Sequence, residues 1–492
     1  MTIAAHTLGC KLNFAETSHL LRQMAERGYT VVDFAEKADI YVINTCTVTS
    51  VAEKKCRSAI RQAIRRNPDA TVAVVGCFAQ RDAKAIAAIP GVSIVLGNDR
   101  KHLLPEILHT PEGSQPKVGD RQWSQLSTLN RRSATASGAN SQPKVGDRQW
   151  SQLSTPAAPT AFAPCFSGGD RTRTFFKIQD GCDYFCTYCA IPFARGRSRS
   201  ATIAETVAVA REIAATGTRE VVLTGVNTGT FGQQHGEQFI DLLRELDKVE
   251  GILRYRISSI EPNLITDEII DFVASSRTFL PHFHIPLQAG SDKVLKLMHR
   301  RYDTALFASR LEHIRRVMPH ACIAADVITG FNGEDDETFA QSKAFIASLP
   351  ISYLHIFPYS DRPGTAALKM DDKVPVAVRR ARAAELHEIS DHKRAAFIAE
   401  HLGTTRPVLW EHTKIENGKL KIENSLPQSV KWLHKVADPS SQLSIVNSQL
   451  VMQGWTDNYI RLQRPFDATL AGTVTPYPVE NSTIVENYSS DD

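Results

Sequence analysis

Between residues 175 and 359, strand-like and helical runs alternate six times, and three closely spaced cysteines stand in the first loop of the series. The strand candidates are residues 175–179, 220–224, 255–260, 282–287, 322–329 and 353–359; helical patterns such as 202–215, 240–249 and 334–347 lie between them. Few folds accept this order. Repeated β/α units build a parallel sheet, open or curled into a barrel. A closed barrel takes eight units, so six predict a partial (β/α)6 barrel over residues 166–400. In such folds ligands meet the carboxyl ends of the strands, where loops gather.

The first of those loops carries Cys182, Cys186 and Cys189 at C-x-x-x-C-x-x-C spacing, with Tyr188 just before the last. Thiolates this close wrap one small metal centre, and soft sulfur favours zinc, copper(I) or an iron–sulfur cluster. A structural zinc site needs a fourth ligand, and neither Cys nor His follows within the loop. The pattern therefore points to a three-thiolate [4Fe–4S] cluster with one iron open to a substrate or cofactor. The later strand ends offer partners for such a ligand: Gly225 and Asn227 in LTGVNTGTFG, Ser258 and Glu261 in ISSIEPN, and Gln288 in HIPLQAGSD.

Residues 1–110 repeat the alternation on a smaller scale, with strands at 3–8, 39–44, 71–76 and 93–97, which predicts a doubly wound parallel sheet. Cys10, Cys46 and Cys77 each fall at or just past the end of one of the first three strands. Carboxyl ends of a parallel sheet share an edge, so these three are expected to hold a second [4Fe–4S] cluster. Cys56 sits inside a helical run and reads as a packing thiol; Cys165 and Cys322 read as structural or free.

Two further regions differ in texture. Residues 111–165 read as an inserted linker, because SQPKVGDRQWSQLST occurs twice without change, at 114–128 and 141–155. Residues 401–479 read as a small β-barrel split by an insertion at 413–450, where KIEN occurs twice, and the tail 480–492 reads as disordered. In that β module Trp455, Tyr459 and Arg461 have the chemistry to stack on and neutralise single-stranded RNA. A basic helix at 376–400 serves either RNA contact or a solvated face.

With 492 residues, 42% hydrophobic and 22% charged, the chain is expected to form several globular domains. A net charge of +4 permits a nucleic-acid partner without arguing for one. No apolar run approaches the ~20 residues that span a bilayer, and no signal peptide is evident, so a cytoplasmic protein without membrane partner is expected, its nine cysteines reduced.

Taken together, TLGCKLN, INTCTVT, VVGCFAQ, GCDYFCTYCAIPFARG, HIPLQAGSDKVLKLMHRRY, FPYSDRPGT and GWTDNYIRL resemble the methylthiotransferase family of radical S-adenosylmethionine (SAM) enzymes over nearly the whole chain. The branch most similar acts on N6-threonylcarbamoyladenosine beside the tRNA anticodon. The resemblance implies an N-terminal cluster domain, a radical SAM core and a C-terminal TRAM domain that binds tRNA. It implies that the cluster on Cys182, Cys186 and Cys189 binds SAM and yields a 5′-deoxyadenosyl radical that takes hydrogen from adenine carbon 2. The cluster on Cys10, Cys46 and Cys77 then holds the sulfur delivered as a methylthio group. An external flavodoxin- or ferredoxin-like electron donor and an unidentified sulfur donor complete the set. Rival readings are the same chemistry on isopentenyladenosine or on a ribosomal-protein aspartate, and a non-catalytic iron–sulfur RNA-binding protein.

Overall fold

The computed structural model describes residues 1–109, 162–169, 172–411, 413–416, 419–422, 445–446 and 449–485. The duplicated segments, most of the 413–450 insertion and the end of the tail lie outside the described residues. Two compact units are formed: Met1–Leu8, Leu20–Thr47 and Val51–Pro159 make the first, and Gly9–His19, Val48–Ser50 and Thr160–Asp492 the second.

In the first unit five parallel strands lie in the order β2-β1-β3-β4-β5: β1 Thr2–Thr7, β2 Thr30–Val31, β3 Ile40–Thr45, β4 Thr71–Gly76 and β5 Ile94–Leu96. This is the expected doubly wound sheet. Strand β3 is buried along its whole length, as a strand covered on both faces must be. The helix Ser50–Arg66 buries Cys56, Ala59, Ile60 and Ala63, one face at helical spacing. Between β4 and β5 lie two short helices, Cys77–Arg81 and Ala83–Ala87. Asp82 divides them because its carboxylate accepts from Ala85 N–H and caps the second.

The second unit contains the predicted (β/α)6 arrangement. Its parallel strands are β7 Arg173–Lys177, β10 Glu220–Thr224, β11 Arg254–Ile257, β12 His282–His284, β13 Cys322–Thr329 and β14 Tyr353–Pro358. Pairing runs β7-β10-β11 and β12-β13-β14, and single bridges at Tyr255–Phe279 and Ser259–His284 join the two sets. Cys165 is not in a loose linker: β6, Cys165–Phe166, adds an antiparallel edge beyond β7. Alternate strand residues such as Phe176, Leu223, Tyr255, Phe283, Ile323 and Leu354 join one apolar core with helix residues such as Leu243, Ile270 and Leu311. The intervening positions carry Lys177, Glu220, Arg254, Arg256, His282, His284, Asp326 and His355, so the other face is polar.

Two small features close the ends. β8, Gln179–Asp180, pairs antiparallel with β9, Arg199–Ser200, and ties off the cysteine loop beyond β7. At the opposite end packs an antiparallel module of β15 Thr405–Trp410, β16 Thr413–Glu416, β17 Lys419–Ile422, β18 Ile445–Val446, β19 Gln449–Thr456, β20 Arg461–Pro465 and β21 Val474–Pro478. The insertion does not disrupt it, since β15 pairs with β19 across the gap. Arg254 and Arg256, at the start of β11, donate to the carbonyls of Trp455, Pro407, Thr456 and Asp457 over 2.7–3.1 Å. Nor is the tail unstructured from residue 480: Gln463 N–H donates to Thr483 O, and Ile484 packs on the module's core.

Candidate active site

Gln179 organises the cysteine loop. Its Oε1 accepts from the N–H groups of Val226 and Asn227, both at 2.9 Å. Its Nε2 donates to the carbonyls of Asp180 and Gly181 and to the hydroxyls of Ser198 and Thr230. One fully buried amide thus ties the start and end of the cysteine loop to the loop after β10. The candidate Gly225 owes its identity to this contact: a Cβ there would lie 2.8 Å from Gln179 Oε1. Beside it Asp180 pairs with Lys177, Arg195 and Arg199 at 2.9–3.1 Å, and Glu16 pairs with Lys177 and Arg195. Three buried cations with two carboxylates brace the loop from beneath.

Within the loop the three thiols lie near enough to feel one another's charge. Burial first, and also the charge a neighbouring thiolate would carry, push Cys182 up to about 11 and Cys189 up to about 12. Cys186 is also raised by burial, while Arg300 opposes that shift. Cys189 N–H donates to Cys186 O at 2.9 Å, a turn that sets two of the thiols side by side. One buried and two half-buried thiols that resist ionisation singly have the chemistry of ligands to a cation, which would stabilise their thiolates.

Arg300 reaches the loop from the segment after β12, with Nη1 3.0 Å from Cys186 Sγ and 3.3 Å from Tyr188 Oη, and Nη2 on Glu261. The candidates Tyr188 and Glu261 are therefore linked to the cysteines through an arginine that motif reading did not single out. Asn227 is buried against the Tyr184 hydroxyl, and among the described residues Thr224 Oγ1 at the end of β10 has no partner. Gln288 takes a left-handed conformation, φ 66°, and its backbone bridges β13. Ser258 lies deeper, on a cavity with Lys11, His282 and His284. His284, Asp326 and His355 form a second polar group in the lumen, with His284 Nε2 2.7 Å from Asp326 Oδ1.

In the first unit Cys46 and Cys77 directly follow the adjacent strands β3 and β4. Gly76 holds φ 98°, and a Cβ there would meet Asn44 Oδ1 at 2.3 Å, so the turn into Cys77 requires glycine. Cys56 Sγ accepts from Cys46 N–H at 3.4 Å, which makes it a support for that turn. Cys10 comes three residues after β1 and is exposed; it belongs to the Gly9–His19 segment of the second unit.

The expected RNA-stacking residues are placed differently. Trp455 is 1% exposed and Tyr459 7%; their rings stack at 4.5 Å, and Tyr459 packs 4.5 Å from His282. Arg461 lies over Trp455 and pairs with Glu411. Aromatic and arginine side chains that suit RNA also suit a buried interface, and here the barrel has taken them. The basic helix Val376–Ala399 is similar: Arg382 pairs with Glu334 and Asp336, and Arg379 donates to Val374 and Tyr359 carbonyls.

Residues 2–97 match the family described as Uncharacterized protein family UPF0004, and residues 176–346 match the Radical SAM superfamily. The chain is 41% identical over 403 residues to Threonylcarbamoyladenosine tRNA methylthiotransferase MtaB of Bacillus subtilis, covering 81% of this chain and 82% of that protein. Its counterpart in Aquifex aeolicus is 36% identical, over 86% and 95% of the two chains. The chain belongs to the radical SAM methylthiotransferase family. Another relative, tRNA-2-methylthio-N(6)-dimethylallyladenosine synthase of Sphingopyxis alaskensis, is 30% identical over 90% and 93%. A methylthiotransferase of this family is a transferase enzyme that uses SAM and a [4Fe–4S] cluster. The cysteine loop fits that requirement: it carries three free thiols, and among the described residues the buried Thr224 hydroxyl at the adjoining strand end has no partner. Among the described residues no helix is long and apolar enough to cross a membrane.

Proposed function

We propose that this enzyme adds a methylthio group to carbon 2 of N6-threonylcarbamoyladenosine next to the anticodon of tRNA. The observation that carries the reading is the cysteine loop itself, three thiols held as one site by Gln179, Asp180 and Arg300 in a chain whose relatives at 41% and 36% identity bear that activity in their names. Cys182, Cys186 and Cys189 hold the cluster; when bound with SAM it supplies a radical able to take hydrogen from an unactivated carbon. The protein supplies placement. Gln179 fixes the loop against Val226 and Asn227, Arg300 sets Cys186, and the buried Asn227 amide is placed to meet the cofactor.

The proposal also gives Cys10, Cys46 and Cys77 a second cluster as the sulfur carrier, supported by Cys46 and Cys77 following adjacent strands. Anaerobic iron analysis then reads about eight iron per chain, and about four after Cys46→Ala with Cys77→Ala. An external electron donor, a sulfur source and a cytoplasmic location belong to the same reading. Base stacking on Trp455 and Tyr459 does not, because both rings are buried.

Mass spectrometry of tRNA nucleosides from cells with and without the gene tests the substrate. Loss of the methylthio group from threonylcarbamoyladenosine is expected. Loss from dimethylallyladenosine instead moves the activity to the other named branch, and unchanged tRNA directs the search to ribosomal proteins.

A further inference from the structure

A cavity of about 20 Å3 lies in the barrel lumen, room for one water molecule or the end of a ligand group. Lys11, Arg173, Arg256, Ser258, His282, His284 and Tyr459 are its polar lining, and Arg173 is bonded to Tyr459. Some of these are committed. Arg256 Nε is 2.7 Å from Glu220, its other nitrogens hold the carbonyls of Thr456 and Asp457, and His284 is bonded to Asp326. Others are not. Among the described residues the Lys11 ammonium makes no hydrogen bond or ion pair. Ser258 Oγ and both ring nitrogens of His282 are buried without partners, and His282 is only 7% exposed. A buried polar atom left unmet is costly, so several around one hole mark a place that another group completes.

The chemistry of that group follows from what is unspent: one ammonium, one hydroxyl and one imidazole. The nearby acid, Asp326, already has His284. Such a set suits a small oxyanion. We infer that the cavity receives the carboxylate of the substrate's threonylcarbamoyl group, with Lys11 as counter-ion and Ser258 and His282 as its further hydrogen-bonding partners. The inference rests on the substrate proposed above. In adenine, carbon 2 and the N6 substituent both flank N1, so a group that reads the substituent stands beside the reacting carbon. The chain joins the two places: Ser258 is three residues before Glu261, which pairs with Arg300 at Cys186. A dimethylallyl substituent has neither charge nor acceptor and would cover Lys11 without a counter-ion, a cost that reads against it.

The test uses anaerobic holoenzyme with two anticodon stem-loop RNAs, one carrying threonylcarbamoyladenosine and one its neutral carboxamide, scored by kcat/KM and by affinity. The wild type is expected to favour the acid by about 10- to 100-fold. Lys11→Met brings the acid-to-amide ratio towards one, Lys11→Arg keeps most of it, and Ser258→Ala lowers it several-fold and stands in should Lys11→Met not fold. Because the ratio is internal to each variant, a general loss of activity does not mimic the result. Equal use of acid and amide by the wild type overturns the inference, as does a Lys11→Met variant that loses both in proportion. A raised KM for SAM with an unchanged ratio assigns the cavity to the cofactor and overturns it too. If neither RNA is modified while a dimethylallyladenosine stem-loop is, the substrate proposal fails and the inference falls with it.

Discussion

Arg300 and Arg301 are neighbours in the sequence with opposite duties. Arg301 lies over the Tyr184 ring and donates to Asp183 O, while Arg300 turns inward to Cys186 and Glu261. Burial pushes the Glu261 carboxyl up and Arg300 pulls it back, so the acid depends on its partner to stay charged. Arg300→Gln therefore leaves a buried carboxylate unpaired and is expected to cost about 3–5 kcal/mol. Adding Glu261→Gln removes the stranded charge and should recover most of that loss. Denaturant unfolding of the four proteins in this cycle checks it; additive costs would mean the pair is not coupled. Iron retention separates the second role, since the double variant still lacks the donor at Cys186 and should hold its cluster less well than the wild type. No motif says which of two adjacent arginines faces a cysteine. That choice is made by the chain's turn after the short helix Asp292–Leu297, where His299 adopts φ 57°.

At the scale of elements, the cysteine loop is a hairpin-closed excursion from a parallel sheet. Gly181 sits just inside the β8–β9 closure at φ 72°, and a Cβ on it would stand 2.0 Å from Arg197 O. Gly181→Ala must part the two strands that close the loop. It should cost upwards of about 2 kcal/mol and lower the iron bound through Cys182, Cys186 and Cys189; an alanine variant with full iron and unchanged stability would show that the closure is dispensable. The six parallel strands are legible because each alternates apolar residues, buried against helices, with residues of the inner face and is bounded by turn signals. The closure was not, since two-residue strands have no period to read. The polar face of the barrel was partly legible: RYR, HFH and the alternation around Asp326 put polar side chains at alternate positions. Trp455 and Tyr459 were misplaced for a different reason. An aromatic residue in a small β module suits RNA and a protein neighbour equally, and the deciding partners, Arg173, Arg256 and His282, are roughly 170 to 290 residues away in the chain.

Each of the two units keeps a histidine neutral in its interior, which gives the whole molecule one response to acid. In the first, His6 is buried and stacks on Phe34 at 4.7 Å; burial first, then the charge of Arg66, lower it from 6.5 to about 4 against the opposing pull of Asp33. In the second, burial and then Arg256 and Lys11 hold His282 well below its ordinary value. An unfolded histidine takes up its proton near pH 6.5, whereas these do not, so acid favours the unfolded chain. The stabilisation from His6 is complete above about pH 6.5 and is lost as pH falls towards 4, a change of about 3 kcal/mol. Amide protection factors, compared at pH 7 and pH 5, should therefore fall both in β1, β3 and β4 and in β12 and β13. His6→Phe keeps the ring stack and removes the titration, so it should abolish the acid loss in the first three strands and leave that in the other two. Persistence of the loss in β1, β3 and β4 of that variant would place the sensitivity elsewhere. Its disappearance from all five strands would mean that His282 contributes nothing to the loss in β12 and β13.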